Sequence, residues 1–176
     1  KQGQAIVRHV TGEEVPVVLD PTLLLNREQW ATMANTPEGY PTPAGDTSGG
    51  YILCYCISKP GALGSYIQQL AEETGLPVVQ LCGIRQKVYP KAQCIFDAGP
   101  AEFLGLFKNA TYVCTNSFHG TVFSVQFQKP FFTAVAPTEL AAPERSRTFS
   151  ILNRLGLTRR IIGKGDTSGL LDEIDW

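Results

Sequence analysis

The chain carries little net charge and has no long apolar run, and both absences exclude classes of function. Its 176 residues include 15 Lys and Arg against 16 Asp and Glu, a formal net charge of −1. A nucleic-acid-binding domain needs clustered excess Lys and Arg, so nucleic acid is not an expected partner. No stretch approaches the roughly 20 apolar residues that span a bilayer. The opening KQGQAIVRHV is too polar for a signal peptide.

Cysteine is scarce, odd in number and embedded in apolar segments. The five cysteines fall mostly in runs such as YILCYCI and VVQLCG, where Cys acts as a small buried hydrophobe. Cys54 and Cys56 lie close in sequence, but no second pair follows them, whereas structural zinc sites usually recruit two such pairs. We therefore expect no metal site and no redox cofactor, and a reducing, cytoplasmic setting.

A segment rich in proline and glycine divides the chain. Residues 36–50 (TPEGYPTPAGDTSGG) hold three Pro and four Gly, a composition typical of a linker. We place a domain boundary there, so that residues 1–45 are the tail of a preceding domain plus linker and residues 46–176 form a second domain. Before the linker, VPVVLD (15–20) predicts a short buried strand and NREQWATMA (26–34) predicts a helix capped by Asn26.

Beyond this linker, strands and helices alternate. The sequence predicts strands over 51–57, 77–82, 93–96, 112–115 and 131–135, and helices over 63–74, 100–109, 119–127 and 147–157. Such alternation indicates a parallel sheet with helices on both faces and right-handed crossovers. The expected fold class is therefore α/β, a three-layer Rossmann-like domain with a mainly parallel sheet.

A short polar junction between the fourth predicted strand and the next helix carries the most chemistry. It reads Asn116-Ser117-Phe118-His119-Gly120-Thr121. Ligands of open α/β sheets bind at the carboxyl ends of strands, and a helix N-terminus favours anions. His119 can act as a general acid or base near neutral pH, and Gly120 lets a ligand approach the backbone. The junction therefore predicts an anion site with an imidazole beside it.

The other residues of the junction have more than one interpretation. Ser117 and Thr121 offer hydroxyls to an anion, and Asn116 offers an amide, but helix capping alone also explains Asn116 and Ser117. Phe118 is either a ligand contact or a core residue below the helix.

Cationic partners for the anion are harder to assign from the sequence. Arg145 and Arg147 follow the fifth predicted strand and Arg85 follows the second, which places them at the same predicted sheet edge as His119. Guanidinium groups can hold a phosphate or carboxylate bidentately, although solvated arginines at a loop or helix start are the simpler interpretation. Lys59 lies in SKPGALGS after the first strand, and the glycines there lack the full dinucleotide fingerprint.

The sequence around the junction resembles a known family. TNSFHGTVFSVQFQKPFF, preceded by GPAEFLGLFKNA and followed by Arg145-Ser-Arg147 and ILNRLGL, closely resembles the C-terminal half of polysaccharide pyruvyl transferases. VVLDPTLLLNREQW resembles the segment before that half, so the resemblance runs from about residue 15 to residue 159. It implies a glycosyltransferase-B-like architecture of two Rossmann-like domains with the active site between them, and it matches the family's donor-site histidine to His119.

The resemblance also implies a reaction. An enolpyruvyl-derived unit passes from phosphoenolpyruvate to two sugar hydroxyls, which gives a pyruvate ketal and phosphate. Phosphoenolpyruvate is then a donor substrate rather than a cofactor. The acceptor is a glycan or lipid-linked sugar, held by an N-terminal half that this sequence does not include, and the expected location is the cytoplasm, including the inner face of the cell membrane.

Two other functions stay open at this point. One is a glycosyltransferase-B-type domain that binds a nucleotide sugar. The other is a non-catalytic ligand-binding domain on the same scaffold, because a fold alone does not define a function.

Overall fold

A parallel five-stranded sheet forms the centre of the molecule. The computed structural model describes residues 2–36, 49–82, 87–162 and 172–176. The strands lie in the order β3-β2-β1-β4-β5 and all their pairings are parallel. Their bounds are β1 (Ile52–Cys56), β2 (Val78–Cys82), β3 (Gln93–Ile95), β4 (Tyr112–Thr115) and β5 (Phe131–Thr133). The predicted parallel sheet is confirmed.

Helices cover both faces of this sheet. Their bounds are α1 (Gln2–Thr11), α2 (Arg27–Met33), α3 (Leu63–Thr74), α4 (Pro100–Asn109), α5 (Phe118–Gln126), α6 (Pro137–Ala141) and α7 (Arg147–Arg154). Side chains of α3 pack on one face, and side chains of α2, α4, α5 and α7 pack on the other. This arrangement confirms the three-layer Rossmann-like fold.

Strand β1 shows why its sequence is a continuous apolar run. Leu53 belongs to the core below α4 and α5, whereas Ile52 and Cys54 belong to the core below α3. Since both faces of a parallel strand are covered, its sequence is a continuous apolar run rather than an alternating one. Cys54, Cys56 and Cys114 are buried among these side chains, as expected for small hydrophobes.

The N-terminal segment differs from its prediction. Residues 15–20 form no strand and join no strand among the described residues, and Val17 and Val18 are 58% and 79% exposed. Pro16 removes a ladder donor, and the chain then forms a 3₁₀ turn at Pro21–Leu23 that contacts α5. The predicted strand was therefore wrong.

Helix α2 was predicted correctly. The Asn26 side chain accepts a hydrogen bond from Gln29 N (2.9 Å), and the Gln29 side chain accepts one from Asn26 N (3.0 Å). This capping box satisfies two backbone donors at the helix start. The predicted linker lies largely in residues 37–48, outside the described residues, so the proposed domain boundary stays a prediction.

The strand order creates a crevice at one edge of the sheet. From β1 the chain runs to α3 on one face, whereas from β4 it runs to α5 on the opposite face. The loops that follow the adjacent strands β1 and β4 therefore diverge. In doubly wound sheets, ligands bind at such a switch point, outside the carboxyl ends of the strands.

Candidate functional site

The predicted polar junction lies at this carboxyl edge. Strand β4 ends at Thr115, and α5 begins at Phe118. The Thr115 hydroxyl donates to Tyr55 O (2.6 Å) in β1 and accepts from Ser117 N (3.0 Å). Ser117 caps α5, because its side-chain oxygen accepts from Gly120 N (3.4 Å). The side chains of Thr115 and Ser117 thus hold the turn from strand to helix, and Thr115 also joins it to the backbone of β1.

Four residues of the junction hold the start of the helix to the sheet and to the loop after β1. We call Asn116, Ser117, Gly120 and Thr121 the inward group. Asn116 Oδ1 accepts from Ile57 N (2.9 Å), and its Nδ2 donates to Ser58 O (3.1 Å). Thr121 Oγ1 lies 3.1 Å from Ser117 O and 3.0 Å from Thr133 Oγ1.

Gly120 belongs to this group because of its close packing. A Cβ atom there would lie 2.3 Å from Thr115 Oγ1. The absent side chain therefore lets α5 approach the end of β4.

The other two residues point outward; we call Phe118 and His119 the outward group. The His119 side chain is 51% exposed, and its Nε2 lies 3.8 Å from Asp20 Oδ2. The two rings of the group meet edge to face, with centroids 5.5 Å apart. The guanidinium carbon of Arg147 lies 4.4 Å from the centre of the Phe118 ring, a cation–π contact. An imidazole, a carboxylate and a guanidinium therefore surround the start of α5.

Asp20 reaches this site from a distant part of the chain. Its Oδ1 accepts from Thr22 N (3.1 Å) and from Thr22 Oγ1 (2.7 Å), which caps the 3₁₀ turn. These two hydrogen bonds are the main reason that the pKa of Asp20 is lowered, and the nearby charges of His119 and Arg147 lower it further. Asp20 was not among the predicted site residues. Its Asp-Pro-Thr motif is typical of a helical cap, but nothing in the motif indicates the contact with His119.

A cleft of about 670 Å³ opens beside the junction. It lies between the loops that follow β1 and β5, and its lining residues include Ile57–Ala62, Asn116, Ala134–Pro137, Glu139, Leu140 and Ile162. Lys59 is its cationic lining residue, and His119 does not line it. The volume falls within the roughly 300–1,000 Å³ of small-molecule sites. The carboxyl edge thus presents two adjoining features, the outward group and this cleft.

The sequence of the chain matches a known protein family. The family model for polysaccharide pyruvyl transferase matches residues 4–137 of the chain. The chain belongs to the polysaccharide pyruvyl transferase family. No curated protein sequence matches it. Membership of this family indicates a transferase enzyme of the pyruvyl transferase class, with a polysaccharide as acceptor.

The family match includes the outward group and Asp20 and ends before two of the three predicted arginines, Arg145 and Arg147. Of those, Arg147 is the first residue of α7 and contacts Phe118. Arg145 is 71% exposed, and its Nε lies 3.7 Å from Glu144 Oε1. The structure therefore brings Arg147 to the junction of this pyruvyl transferase, while the contact shown for Arg145 is with its neighbour. Arg85 lies outside the described residues.

Across residues 2–36, 49–82, 87–162 and 172–176, no three His, Cys, Asp or Glu side chains cluster closely enough to hold a metal ion. In the same part of this family member, none of the helices combines the length and the apolar character needed to cross a bilayer.

Proposed function

We propose that this domain binds phosphoenolpyruvate at the start of α5 and transfers its enolpyruvyl-derived unit to two hydroxyls of a glycan or lipid-linked sugar. The observation that carries the proposal is the exposed His119 imidazole, which lies beside the Asp20 carboxylate and next to Phe118, the ring that Arg147 covers. Phosphoenolpyruvate carries a phosphate and a carboxylate, so its site needs cations and oriented N–H donors. The start of α5 offers both.

His119 supplies the proton in this proposal. The imidazolium donates it to the methylene carbon of phosphoenolpyruvate, which becomes a methyl group, and the neighbouring carbon becomes a cationic centre. A sugar hydroxyl attacks that carbon and loses its proton to the imidazole. The bond between that carbon and the phosphate oxygen then breaks, and the oxygen keeps the electron pair. The second hydroxyl attacks the same carbon and loses its proton to the departing phosphate. One hydroxyl proton thus restores His119 and the other leaves with phosphate.

The remaining residues of the edge support this step in different ways. Arg147 and the N–H groups of the first turn of α5 would bind the anionic groups of the donor. The inward group would keep that helix end in place, since its polar side chains already bond to the sheet and to the loop after β1. Direct contact of the donor with Asn116, Ser117, Phe118, Gly120 or Thr121 stays a prediction, as do the roles of Arg145 and Arg85.

The cleft next to the junction favours a second candidate. Its volume of about 670 Å³ would admit a ligand larger than phosphoenolpyruvate, such as a nucleotide sugar. A glycosyltransferase-type donor domain would bind a nucleoside diphosphate there, more tightly than it binds phosphoenolpyruvate.

One titration separates these functions. The chain has two histidines, His9 and His119, so their imidazole resonances can be assigned with His9→Ala and His119→Ala. Phosphoenolpyruvate should shift the His119 resonance and leave that of His9 unchanged. A nucleoside diphosphate that shifts His119 more strongly, at lower concentration, would favour the glycosyltransferase. No response of His119 to either compound would favour the non-catalytic ligand-binding domain.

A further inference from the structure

Glu139 bridges the starts of two helices. Its Oε2 accepts a hydrogen bond from the N–H of Ala136 (3.1 Å), the residue before α6, and its Oε1 accepts one from the hydroxyl of Ser146 (2.7 Å), the residue before α7. Ser146 Oγ also accepts from Phe149 N (3.2 Å) and so caps α7. One carboxylate therefore connects the two helix starts across the 3₁₀ turn Pro143–Arg145, which buries none of its own residues.

Ser146 is the buried point of this connection. It is 2% exposed, and it directly precedes Arg147, the exposed first residue of α7. Thr148 and Leu152 bury the inner face of the same helix. Since these two residues hold the body of α7 and the cap holds its first turn, the hydrogen bond from Ser146 to Glu139 helps to set where the Arg147 side chain begins.

The start of α7 carries charge of the less favourable sign. Arg147 lies in the first turn, which holds no acidic residue, whereas the positive end of a helix dipole favours anions. The Glu139 carboxylate supplies negative charge from another element, through the Ser146 hydroxyl. Among the described residues, the ion pairs do not include one between Glu139 and Arg147. The helix start is thus stabilised without pairing this guanidinium to that carboxylate.

The Arg147 side chain extends from this helix start to the junction. Its guanidinium carbon lies 4.4 Å from the centre of the Phe118 ring, at the start of α5. The planar fork of a guanidinium binds a phosphate or carboxylate bidentately only in the right orientation, and a long, flexible side chain loses entropy when it is held there. A fixed helix start at one end and an aromatic ring at the other reduce that freedom before any donor binds.

We propose that Glu139 is a positioning residue for the donor: by holding Ser146, it keeps the start of α7 placed so that Arg147 lies over Phe118 and meets an anionic group of phosphoenolpyruvate. This inference rests on the proposed function, in which Arg147 binds the donor. Glu139 acts through Arg147 and takes no part in proton transfer. Its loss therefore weakens donor binding and leaves the chemical step unchanged.

The first test compares Glu139→Ala with the wild-type enzyme. Calorimetric titration should show the Kd for phosphoenolpyruvate raised by about fivefold, because residues that share one hydrogen-bond network typically couple at this level. At saturating donor, kcat should stay within about twofold of wild type, since an interaction made equally in the ground state and the transition state changes binding alone. A lowered kcat with an unchanged Kd would overturn the inference.

A double-mutant cycle distinguishes positioning from a general loss of stability. If Glu139 acts through the guanidinium, Glu139→Ala should not weaken donor binding further once Arg147→Gln is present. Without donor, the side-chain resonances of Arg147, which the ring current of Phe118 shifts, should move in Glu139→Ala toward the values they have in Phe118→Leu. Additive effects of the two substitutions on the Kd, or Arg147 resonances that stay in place, would count against the role of Glu139.

Glu144→Ala is the matched control. Glu144 lies in the 3₁₀ turn between the same two helices, is 71% exposed, and pairs with Arg145, so its removal should leave the Kd unchanged. If Glu139→Ala does not fold, Glu139→Gln carries the test, because the amide keeps one acceptor oxygen of the two and removes the charge. Its Kd should rise by a smaller factor, and a wild-type Kd would refute the inference.

The outcomes also separate this inference from the proposed function. If Arg147→Gln raises the Kd for phosphoenolpyruvate and Glu139→Ala leaves it unchanged, only the role of Glu139 fails. If Arg147→Gln leaves that Kd unchanged, the proposed binding of the donor by Arg147 fails, and the role of Glu139 fails with it.

Discussion

The inward group and the outward group occupy the same six-residue junction yet contact different parts of the molecule. Gly120 and Thr121 lie three and four residues after Ser117, on the side of the helix start that packs on the ends of β4 and β5. Phe118 and His119 lie on the other face, toward Asp20 and Arg147. The comparison teaches that side chains suited to anion binding can be engaged in the fold, and that the contacts of each side chain distinguish the two tasks.

The outward group should control catalysis without controlling stability, and His119→Ala tests this with the largest expected effect. Loss of an acid–base catalyst should lower kcat by ~10²-fold or more. Because the side chain is half exposed, the free energy of unfolding should change by no more than about 0.5 kcal/mol. Pyruvyl transfer to the acceptor and urea denaturation measure the two quantities. An unchanged kcat would remove His119 from the mechanism.

Substitutions in the inward group should instead lower the stability of the fold. Gly120→Ala places a Cβ atom 2.3 Å from Thr115 Oγ1. Overpacking of this kind lowers the free energy of unfolding by roughly 1–3 kcal/mol. Urea denaturation measures the loss. Gly3→Ala is the matched control, since no atom lies within 4 Å of a Cβ placed on this helical glycine. If both variants unfold at the same urea concentration, Gly120 is not needed for packing.

Arg145 and Arg147 sharpen the comparison, because Arg147 contacts the outward group whereas the contact shown for Arg145 is with Glu144. Arg147→Gln should raise the Kd for phosphoenolpyruvate by about tenfold, the value of one charge-assisted hydrogen bond. Arg145→Gln should have a smaller effect, since the Arg145 side chain is solvated and lies nearest to Glu144. Calorimetric titration of each variant measures the difference. A larger effect for Arg145 would reverse the assignment.

The smallest effect concerns the ionisation of Asp20. Thr22 is the largest cause of its lowered pKa and His119 a lesser one, so Thr22→Val should raise that pKa more than His119→Asn does. A carboxyl group with a lowered pKa stabilises the fold above its unfolded value of 3.8, and this contribution is lost as pH falls through the lower folded pKa. Carboxyl carbon resonances followed during acid titration measure the order of the two variants. The reverse order would contradict the assigned cause.

Local pattern was enough to place most elements of the sheet domain. The predicted bounds of α4 and β4 coincide with the structure, because Pro100 starts the helix and an apolar strand follows it directly. The strand predicted at 15–20 does not form, and the reason is physical: a short apolar run has the same sequence pattern whether or not it pairs with the edge of a sheet. Whether such a run pairs with the sheet depends on the paths of the neighbouring segments.

The sequence by itself determined the alternating strands and helices, the polar junction at the end of β4 and the histidine within it. These features depend on residues near one another along the chain, through periodicity and capping. The tertiary structure alone decided which junction side chains are engaged inward, that Arg147 covers Phe118, and that Asp20 faces His119. Those contacts join residues far apart in sequence, and they form only when the N-terminal turn and α7 pack around α5.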